Sequence, residues 1–444
     1  ADFHITSTGT ELSFYDTTNI IGKLKINESA GNTTITAGEV TDSVSIGKTS
    51  TLILAADSIE FSSYVLLDTS ATLNNGGFNV FVSYNTTAGA IFDLRSGAKL
   101  QGSGKYRVAG GAGSATRDIQ FDNNTVSNIF FAGETVIDDT VTVTDSLQLN
   151  GSVLEQTDLQ SKIILDGVVI NTINVVDDSV SVQTVDFGLG TVSFAGTSDT
   201  LLVADSLYMS GGTIDLASNF LRPLKALVHS GGTITANGGG LFLQDNDPSD
   251  DTESYVKVEA QGSTAALSIS DLFIAGQDTV DFNASVVTIT DSLHLIQTSN
   301  TDGGQQGLFT GTGTFTIGDG TTGAVVIRGD SASKVYGTNR FVYKAGSKLL
   351  YEKIGNGDID SVLTSNEINT ILPILELNFD GSTVEDSLRL DVGEITVTDS
   401  LIISNGFLAD SDSLTLGSGA VFKITQNQLV TEDTLLVDGS YELF

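Results

Sequence analysis

The feature that most constrains this chain is a repeated unit in which an alternating strand runs into Asp-Ser-Leu and then into a second alternating strand. The last three strict copies are 13 residues apart, whereas the earlier ones are separated by 60, 86 and 95 residues. Short strands joined by tight turns at near-regular spacing are typical of a solenoid, in which each coil stacks on its neighbours. The strict copies begin at Asp145, Asp205, Asp291, Asp386, Asp399 and Asp412.

Residue choice and periodicity both favour strands over helices. Gly, Ser, Thr, Asp and branched apolar residues dominate, Pro occurs three times and Trp is absent; this is a composition of strand and turn formers. Apolar residues alternate with period two, as in Thr51-Leu52-Ile53-Leu54, and helical periodicity is hard to find. The sequence therefore predicts an all-β protein, an elongated parallel β-helix (solenoid). Lateral loops or a β-sandwich insertion would interrupt it where the spacing is irregular.

The phase of the repeat places its Asp on the core side of the strand. Val397, Asp399 and Leu401 share one parity, and an unpartnered carboxylate in an apolar core would cost several kcal/mol. We therefore predict a corner of the coil at each Asp-Ser, with the Asp accepting backbone N–H bonds as in an Asx-turn. If such corners stack at the strand spacing of about 4.8 Å, their carboxylates repel unless hydrogen-bonded, offset or bridged by calcium. A solvated corner without an ion is the alternative.

One segment departs from the repeat style and suggests a division of the chain. The segment Asp358 to Asp380, which contains Asn369 to Leu375, breaks the repeat style. We predict a β-solenoid over 1–355, an irregular linker or short helix over 356–380, and a C-terminal β-repeat over 381–444 that continues the solenoid.

Charge and composition exclude several classes of function. The formal net charge is −35, from 55 acidic and 20 basic residues, which makes a phosphate backbone a poor partner because nucleic-acid binding depends on clustered positive charge. No stretch reaches the roughly 18 to 20 uninterrupted apolar residues of a membrane helix. Without cysteine, neither disulfides nor Cys-ligated metal sites can form.

The most acidic loop has enough oxygen donors to wrap a hard cation. Its spacing is not that of an EF-hand, which needs a Gly turn and a terminal Glu at set positions. A solvated acidic loop is the alternative, and no other cofactor is expected. The candidate calcium ligands are Asp245, Asp247, Asp250, Asp251 and Glu253.

Basic residues are concentrated in two windows, which we interpret as docking points for the acidic face of an identical neighbour. Local salt bridges within one molecule are the alternative, and arginine beside aromatic residues also suits polysaccharide. The apolar C-terminal strand could add to the sheet of a neighbouring subunit. The predicted interface residues are Arg95, Lys99, Lys105, Arg107, Arg117, Arg328, Lys334, Arg340, Lys344, Lys348, Lys353, Tyr441, Leu443 and Phe444.

A catalytic interpretation is weaker. The histidines, His4, His229 and His294, have no evident companions in the sequence, so each is expected to be structural or exposed, and we predict no enzymatic activity. Polysaccharide lyases and hydrolases do use parallel β-helices, which makes them the enzyme alternative. The absence of Trp counts against it, since sugar-binding clefts commonly use aromatic platforms.

Glycine-rich segments carry a resemblance to a known class. Gly-Gly-Thr-Ile-Asp-Leu at 211–216, Ser-Gly-Gly-Thr-Ile-Thr-Ala-Asn-Gly-Gly at 230–239 and Ser-Gly-Ala-Lys-Leu-Gln-Gly-Ser-Gly at 96–104 resemble secreted, adhesin-like β-solenoid surface proteins such as autotransporter passengers and filamentous haemagglutinin-type proteins. The resemblance implies a right-handed parallel β-helix, export, and a role in attachment or surface architecture.

These observations together lead to one expected function. We expect an extracellular or cell-surface structural subunit that self-assembles into a filament or layer, its partner being itself. An adhesin or glycan-binding module is the alternative. The first residue, Ala1 rather than Met, suits a chain whose secretion signal has been removed.

Overall fold

The computed structural model of the chain describes strands, turns and bends over most of its length, and none of the described residues is helical. Parallel coils stack into a β-solenoid of about 12 turns, which confirms the predicted fold class. Within the same residues, no helix is long and apolar enough to cross a membrane. The described residues are 3–6, 10–12, 20–27, 31–36, 38–55, 58–62, 64–82, 92–108, 118–132, 135–137, 139–150, 153–155, 162–165, 171–175, 179–243, 255–261, 265–275, 279–282, 285–296, 308–310, 314–328, 334–335, 340–352, 360–364, 371–378, 387–391, 395–405, 407–410, 414–424, 435–437 and 441–443.

The chain divides into two compact units, 1–219 and 220–444. The strands of the first unit are β1 (Phe3–Ile5), β2 (Thr10–Leu12), β3 (Ile20–Ile26), β4 (Asn32–Ile35), β5 (Gly38–Ile46), β6 (Thr51–Leu54), β7 (Ile59–Phe61), β8 (Tyr64–Leu67), β9 (Thr72–Asn74), β10 (Val80–Val82), β11 (Phe92–Leu94), β12 (Lys99–Gln101), β13 (Lys105–Val108), β14 (Asp118–Gln120), β15 (Thr125–Phe131), β16 (Thr135–Ile137), β17 (Val141–Leu149), β18 (Val153–Glu155), β19 (Ile163–Leu165), β20 (Asn171–Val175), β21 (Ser179–Phe187), β22 (Thr191–Ala195), β23 (Thr200–Met209) and β24 (Thr213–Asp215).

The second unit continues the same kind of short strand. Its strands are β25 (Phe220–Pro223), β26 (Ala226–His229), β27 (Gly232–Thr235), β28 (Gly240–Leu243), β29 (Tyr255–Ala260), β30 (Ala266–Ala275), β31 (Thr279–Asp281), β32 (Val286–Ile296), β33 (Leu308–Thr310), β34 (Thr314–Ile317), β35 (Val325–Arg328), β36 (Lys334–Val335), β37 (Arg340–Tyr343), β38 (Lys348–Glu352), β39 (Asp360–Thr364), β40 (Ile371–Asn378), β41 (Ser387–Asp391), β42 (Ile395–Asn405), β43 (Phe407–Asp410), β44 (Leu414–Leu416), β45 (Val421–Ile424), β46 (Leu435–Val437) and β47 (Tyr441–Leu443).

Three parallel ladders run through the first unit, one for each side of the coil. The first ladder passes through β1, β8, β11, β14, β16 and β18 together with the C-terminal halves of β3 and β5. The second contains β2, β4, β6, β9 and β12, and in later coils β19. The third contains β7, β10, β13, β20, β22 and β24. Long strands such as β17 contribute one half to each of two ladders.

One ladder of the second unit positions the candidate site, and we call it the long ladder. It consists of β25, β28, β35, β38, β45, β47 and the C-terminal halves of β30, β32, β40 and β42. A second ladder runs beside it through β27, the N-terminal halves of β30 and β32, β34 and β37. Inward and outward residues therefore keep their side from coil to coil.

The core is made of the inward residues of each strand. In β17, for example, Val141, Val143, Leu147 and Leu149 are all buried while Thr142 and Gln148 are not. Burial of such a side chain stabilises the fold by about 1.5 to 3 kcal/mol. Because the same parity is buried on neighbouring coils, these side chains stack on one another and form a continuous apolar interior.

The described Asp-Ser pairs lie at corners of the coil, as the parity argument predicts, and each of these corners carries a β-bulge, which it did not predict. In β17 the pairing with β15 shifts so that Thr144 and Asp145 together oppose Ser127. Asp145 has the same parity as the buried Val143 and Leu147, but at the bulge its side chain is exposed. The predicted corners at Asp205, Asp291 and Asp399 carry the same register shift.

These bulges do not recur at one fixed corner of the coil. The bulge of β17 separates the halves that pair with β19 and β20. The bulge of β23 instead lies over the junction between the two halves of β21, which pair with β18 and β19. Across each bulge the Asp faces a residue other than aspartate: Ser127, Gln183, Ser270 or Pro373. The expected column of stacked carboxylates is therefore not formed at these corners.

A second kind of corner is a four-residue turn closed by a hydrogen bond from the N–H of its fourth residue to the carbonyl of its first. The turns 47–50, 121–124 and 344–347 close in this way at 3.0, 3.1 and 3.0 Å. The third residue has a positive φ of 61° at Thr49, 55° at Asn123 and 75° at Gly346. The fourth residue is polar and buried in all three: Ser50, Asn124 and Ser347. Sequence analysis did not single out this turn.

The segment predicted as a linker or short helix differs in the structure. Within 356–380 the described residues form the strands Asp360–Thr364 and Ile371–Asn378, the latter paired on both edges with β38 and β42. Proline normally argues against a central strand because it lacks an N–H group. Here Pro373 lies at the register shift, where a ladder hydrogen bond is interrupted in any case.

We predict that Asn124→Ala lowers the free energy of unfolding by about 2 to 4 kcal/mol, because it leaves several buried backbone groups without a hydrogen-bond partner. The Asn124 side chain accepts a hydrogen bond from Leu100 N at 2.8 Å and donates to the carbonyls of Ala98 and Phe121 at 2.8 and 2.6 Å. Urea denaturation followed by circular dichroism measures the loss. Asn123→Gly is the control: this neighbour is exposed and already has a positive φ, so its effect should stay within about 0.5 kcal/mol. Equal effects of the two variants would contradict the assigned role.

Candidate functional site

A row of half-buried side chains runs along the outside of the long ladder, and we call it the outer row. Its members occupy paired positions on successive coils, so at about 4.8 Å per strand the row spans roughly 30 Å. Most of it is apolar or aromatic. The outer row consists of Phe242, Phe273, His294, Ile327, Leu350, Glu376 and Ile402.

Strand alternation explains why these residues point outward. On β28, β30 and β32 each outer-row residue lies between two buried neighbours, such as Leu272 and Ile274 around Phe273. Successive side chains of a strand point to opposite faces, so the buried neighbours fix the outward direction. The apolar character of the row is therefore a property of the outside of the sheet and adds nothing to the core.

The aromatic members of the row stack on one another. The ring centroids of Phe242 and Phe273 are 6.0 Å apart with planes at 18°, and those of Phe273 and His294 are 4.4 Å apart at 13°. The guanidinium carbon of Arg222 lies 5.7 Å from the Phe242 ring centroid. Gly240 makes room for the stack, since a Cβ there would lie 2.6 Å from the Phe273 ring.

The stack presents ring edges to the solvent and keeps ring faces covered. Phe273 has Phe242 on one face and His294 on the other, and Arg222 covers the far face of Phe242. A sugar ring packs against an open aromatic face, and this arrangement offers none on Phe273. A row of ring edges and aliphatic side chains is suited instead to flat contact with another apolar surface.

His294 is held by a short chain of hydrogen bonds that the sequence did not reveal. Its Nε2 lies 2.9 Å from Ser292 Oγ, which donates to Asp271 Oδ1 at 2.6 Å. Since the single hydroxyl proton goes to the carboxylate, Nε2 must donate to Ser292, so it cannot act as a base towards it. In a catalytic triad the histidine stands between the serine and the carboxylate. The order here is different, and it positions the ring.

The imidazole is kept neutral by its surroundings. Burial lowers the pKa of His294, against the raising effect of Asp271, Asp291 and Glu352. A neutral ring can stack on Phe273 without adding charge to the row. The carboxylate of the row is also compensated, because Glu376 Oε2 lies 2.7 Å from Lys348 Nζ. The outer row is therefore close to electrically neutral on a strongly acidic chain.

The structure separates the predicted interface cations into different environments. Arg95 lies 3.6 Å from Asp68, and Lys348 pairs with Glu376, as the alternative of local salt bridges expects. Lys99, Arg107 and Lys344 are exposed, and Lys105 is half-buried. Arg117, Lys353 and Phe444 lie outside the described residues, as do the side chains of Lys334, Arg340, Tyr441 and Leu443.

Arg328 does not belong to an exposed patch. It is 7% exposed, and its guanidinium carbon lies 5.7 Å from the Tyr351 ring centroid. Tyr343 and Tyr351 are buried as well, and burial raises the pKa of both hydroxyls. Phe341, in the same window, is buried too. The sequence grouped them with surface cations because it could not assign inward and outward parity here.

The candidate calcium loop, 245–253, lies outside the described residues, so the calcium hypothesis stays a prediction. In the parts of the chain that the structure does describe, no three His, Cys, Asp or Glu side chains converge as a metal site would require.

The other histidines have simple environments. His4 is exposed on β1. His229 is fully buried, and its Nε2 lies 3.2 Å from Ser285 Oγ, which in turn donates to the carbonyl of Val258 at 3.0 Å. Burial lowers the pKa of His229, so the folded protein favours the neutral ring.

The outer row could have been found from outward parity, since Phe242, Phe273 and Ile402 each lie one position away from apolar residues that are buried in the structure. The pairing of distant coils that aligns them was not readable from one sequence. The family models, curated proteins and solved structures compared with this chain gave no match. The β-solenoid architecture therefore rests on the chain's own structure.

We predict that acidification destabilises the fold through His229. Because the folded-state pKa lies below the ordinary value of about 6.5, the histidine's neutral form supports folding above that pH. Stability is then lost as pH falls from about 6.5 towards the folded-state pKa, since the unfolded chain binds the proton first. His229→Phe should flatten the fall in thermal midpoint over this range relative to about pH 8. An unchanged pH dependence in that variant would contradict the assignment.

Proposed function

We propose that this protein is an extracellular, non-catalytic structural subunit whose copies associate side by side through the outer row into a filament or layer. The observation that carries the proposal is the run of outward apolar side chains on the long ladder, from Phe242 to Leu350. A contiguous row of apolar side chains on the outside of a sheet, even half-buried, is a candidate interaction site.

Electrostatics favour contact at this row over other surfaces. With a formal charge of −35, two copies repel each other over about one Debye length, which is about 8 to 10 Å at physiological salt. The row carries a neutral imidazole and a Glu376 paired with Lys348. When two copies meet at their outer rows, they bury apolar side chains where the local electrostatic repulsion between them is smallest.

The periodicity of the sheet suits contact between identical surfaces. Side chains one strand spacing apart form ridges at about 4.8 Å on any copy, so two outer rows can interdigitate over their length. An isologous contact places the same patch on both partners and closes as a dimer. A layer or filament then needs a second contact, for which the remaining basic residues are the candidates.

Among alternatives, glycan binding through the outer row is disfavoured because the ring faces are covered, and catalysis through Ser292 is disfavoured because its proton is bonded to Asp271. Export and surface location are supported by the resemblance of the glycine-rich segments to secreted β-solenoid proteins. They stay part of the proposal.

The direct test is Ile327→Asp, which places a charge in the middle of the outer row. We predict that the wild-type chain associates in a concentration-dependent way, more strongly at high salt because screening weakens repulsion. The variant should associate at least about tenfold more weakly, since burying an unpaired carboxylate costs more than the roughly 1.4 kcal/mol of a tenfold change. Sedimentation equilibrium measures both.

Val342→Asp is the matched control, because Val342 is also half-buried and outward-facing but belongs to the neighbouring ladder. It should leave association unchanged. A wild-type chain that stays monomeric at every concentration and salt level, or a control that weakens association as much as Ile327→Asp, would reject the proposal.

A further inference from the structure

A second surface, on the third ladder of the first unit, has the features of a binding site for an anion. Arg107 on β13 is exposed and pairs in register with Phe81 on β10 and Phe130 on β15. Its guanidinium carbon lies 5.8 Å from the Phe81 ring centroid and 5.3 Å from that of Phe130. The arginine therefore stands between two aromatic rings on adjacent coils.

The rings fix how the guanidinium meets the solvent. Cation–π contact with a ring on each side restrains the side chain and covers it along the coil axis. Its N–H donors are left to point outward. A planar guanidinium held in this way can donate two parallel hydrogen bonds to a carboxylate, which a lysine cannot do.

Further polar groups adjoin the arginine. Lys105 lies two residues earlier on the same strand, hence about 7 Å away on the same side, and its Nζ donates to Gln148 Oε1 at 3.2 Å. Gln148 is the residue in register with Phe130 on the next coil. The surface thus combines two cations, two apolar rings and an amide.

These cations differ from others in having no carboxylate partner among the described residues. Arg95 has Asp68, Lys162 has Asp186 at 3.0 Å and Lys348 has Glu376. The contacts of Arg107 and Lys105 within the described parts of the chain are the two rings and the neutral amide of Gln148. On a chain with 55 acidic residues, this leaves their charge available to an external anion.

We propose that this surface binds a sugar acid at the end of a glycan, with Arg107 as the carboxylate-binding residue. The carboxylate accepts hydrogen bonds from Arg107 with Lys105 nearby, the C–H groups of the sugar lie against the ring edges of Phe81 and Phe130 that Arg107 leaves uncovered, and a hydroxyl bonds to Gln148. A single carboxylate fits better than a polyanion, because the charge of −35 repels repeated negative charge. The site is independent of the outer row.

The probe is a disaccharide ending in glucuronic acid, displayed in many copies on a polyacrylamide carrier, because one exposed site binds weakly and multivalency raises the apparent affinity. Its carboxyl-reduced form is the neutral control ligand. We expect Arg107→Gln to weaken binding at least about tenfold, and Arg107→Lys to recover only part of it. Arg95→Gln is the matched variant, an exposed arginine of the same sequence window that is already paired, and it should bind like wild type.

Absence of binding to the acidic probe, equal binding of the reduced probe, or wild-type binding by Arg107→Gln would each overturn the proposal. Ile327→Asp should retain the binding, so failure of self-association and failure of glycan binding are told apart in the same set of proteins.

Discussion

Parallel hydrogen bonding between successive coils is the interaction on which the rest of this structure depends. A single coil of short strands cannot bury its own apolar side chains, so each is stable only when stacked on its neighbours. In-register pairing then places inward residues over inward residues, as with Val143 and Leu165. The same pairing aligns the outward residues into rows. The outer row and the ring–arginine–ring arrangement at Arg107 are thus consequences of the backbone ladders that build the core.

At each corner the chain changes direction while the hydrogen-bonded ladders between coils continue on both sides of the bend. The bulge at Asp145 inserts one residue and turns outward a carboxylate whose parity would otherwise place it in the core. The four-residue turn at 121–124 solves the same problem differently, by burying Asn124 so that its amide bonds to backbone groups of the neighbouring coil. Each device keeps buried backbone groups paired, which a parallel sheet requires at its bends.

Much of the fold was predictable because it depends on local pattern. Period-two alternation and the parity of Asp399 indicated strands and corners, and both are confirmed. The pairing of strands from distant parts of the chain could not be predicted, because the sequence does not say which coil lies beside which. Ser292 and Asp271 are 21 residues apart and meet only through pairing of β30 with β32. Arg328 was interpreted as a surface cation because its parity could not be assigned. The segment around Pro373 was predicted as a linker or short helix because the bulge opposite it in β42 could not be inferred from the sequence.

The most direct test of stacked parallel coils uses the absence of native cysteine. Thr288 and Thr316 are in register on adjacent coils, and Val342 is in register one coil further. Cysteines at 288 and 316 would lie about 4.8 Å apart between Cα atoms, within disulfide range, whereas cysteines at 288 and 342 would lie at about twice that distance. Mild oxidation should give an intramolecular disulfide in the first pair and none in the second. A disulfide in the second pair but not the first would contradict the coil register on which this account rests.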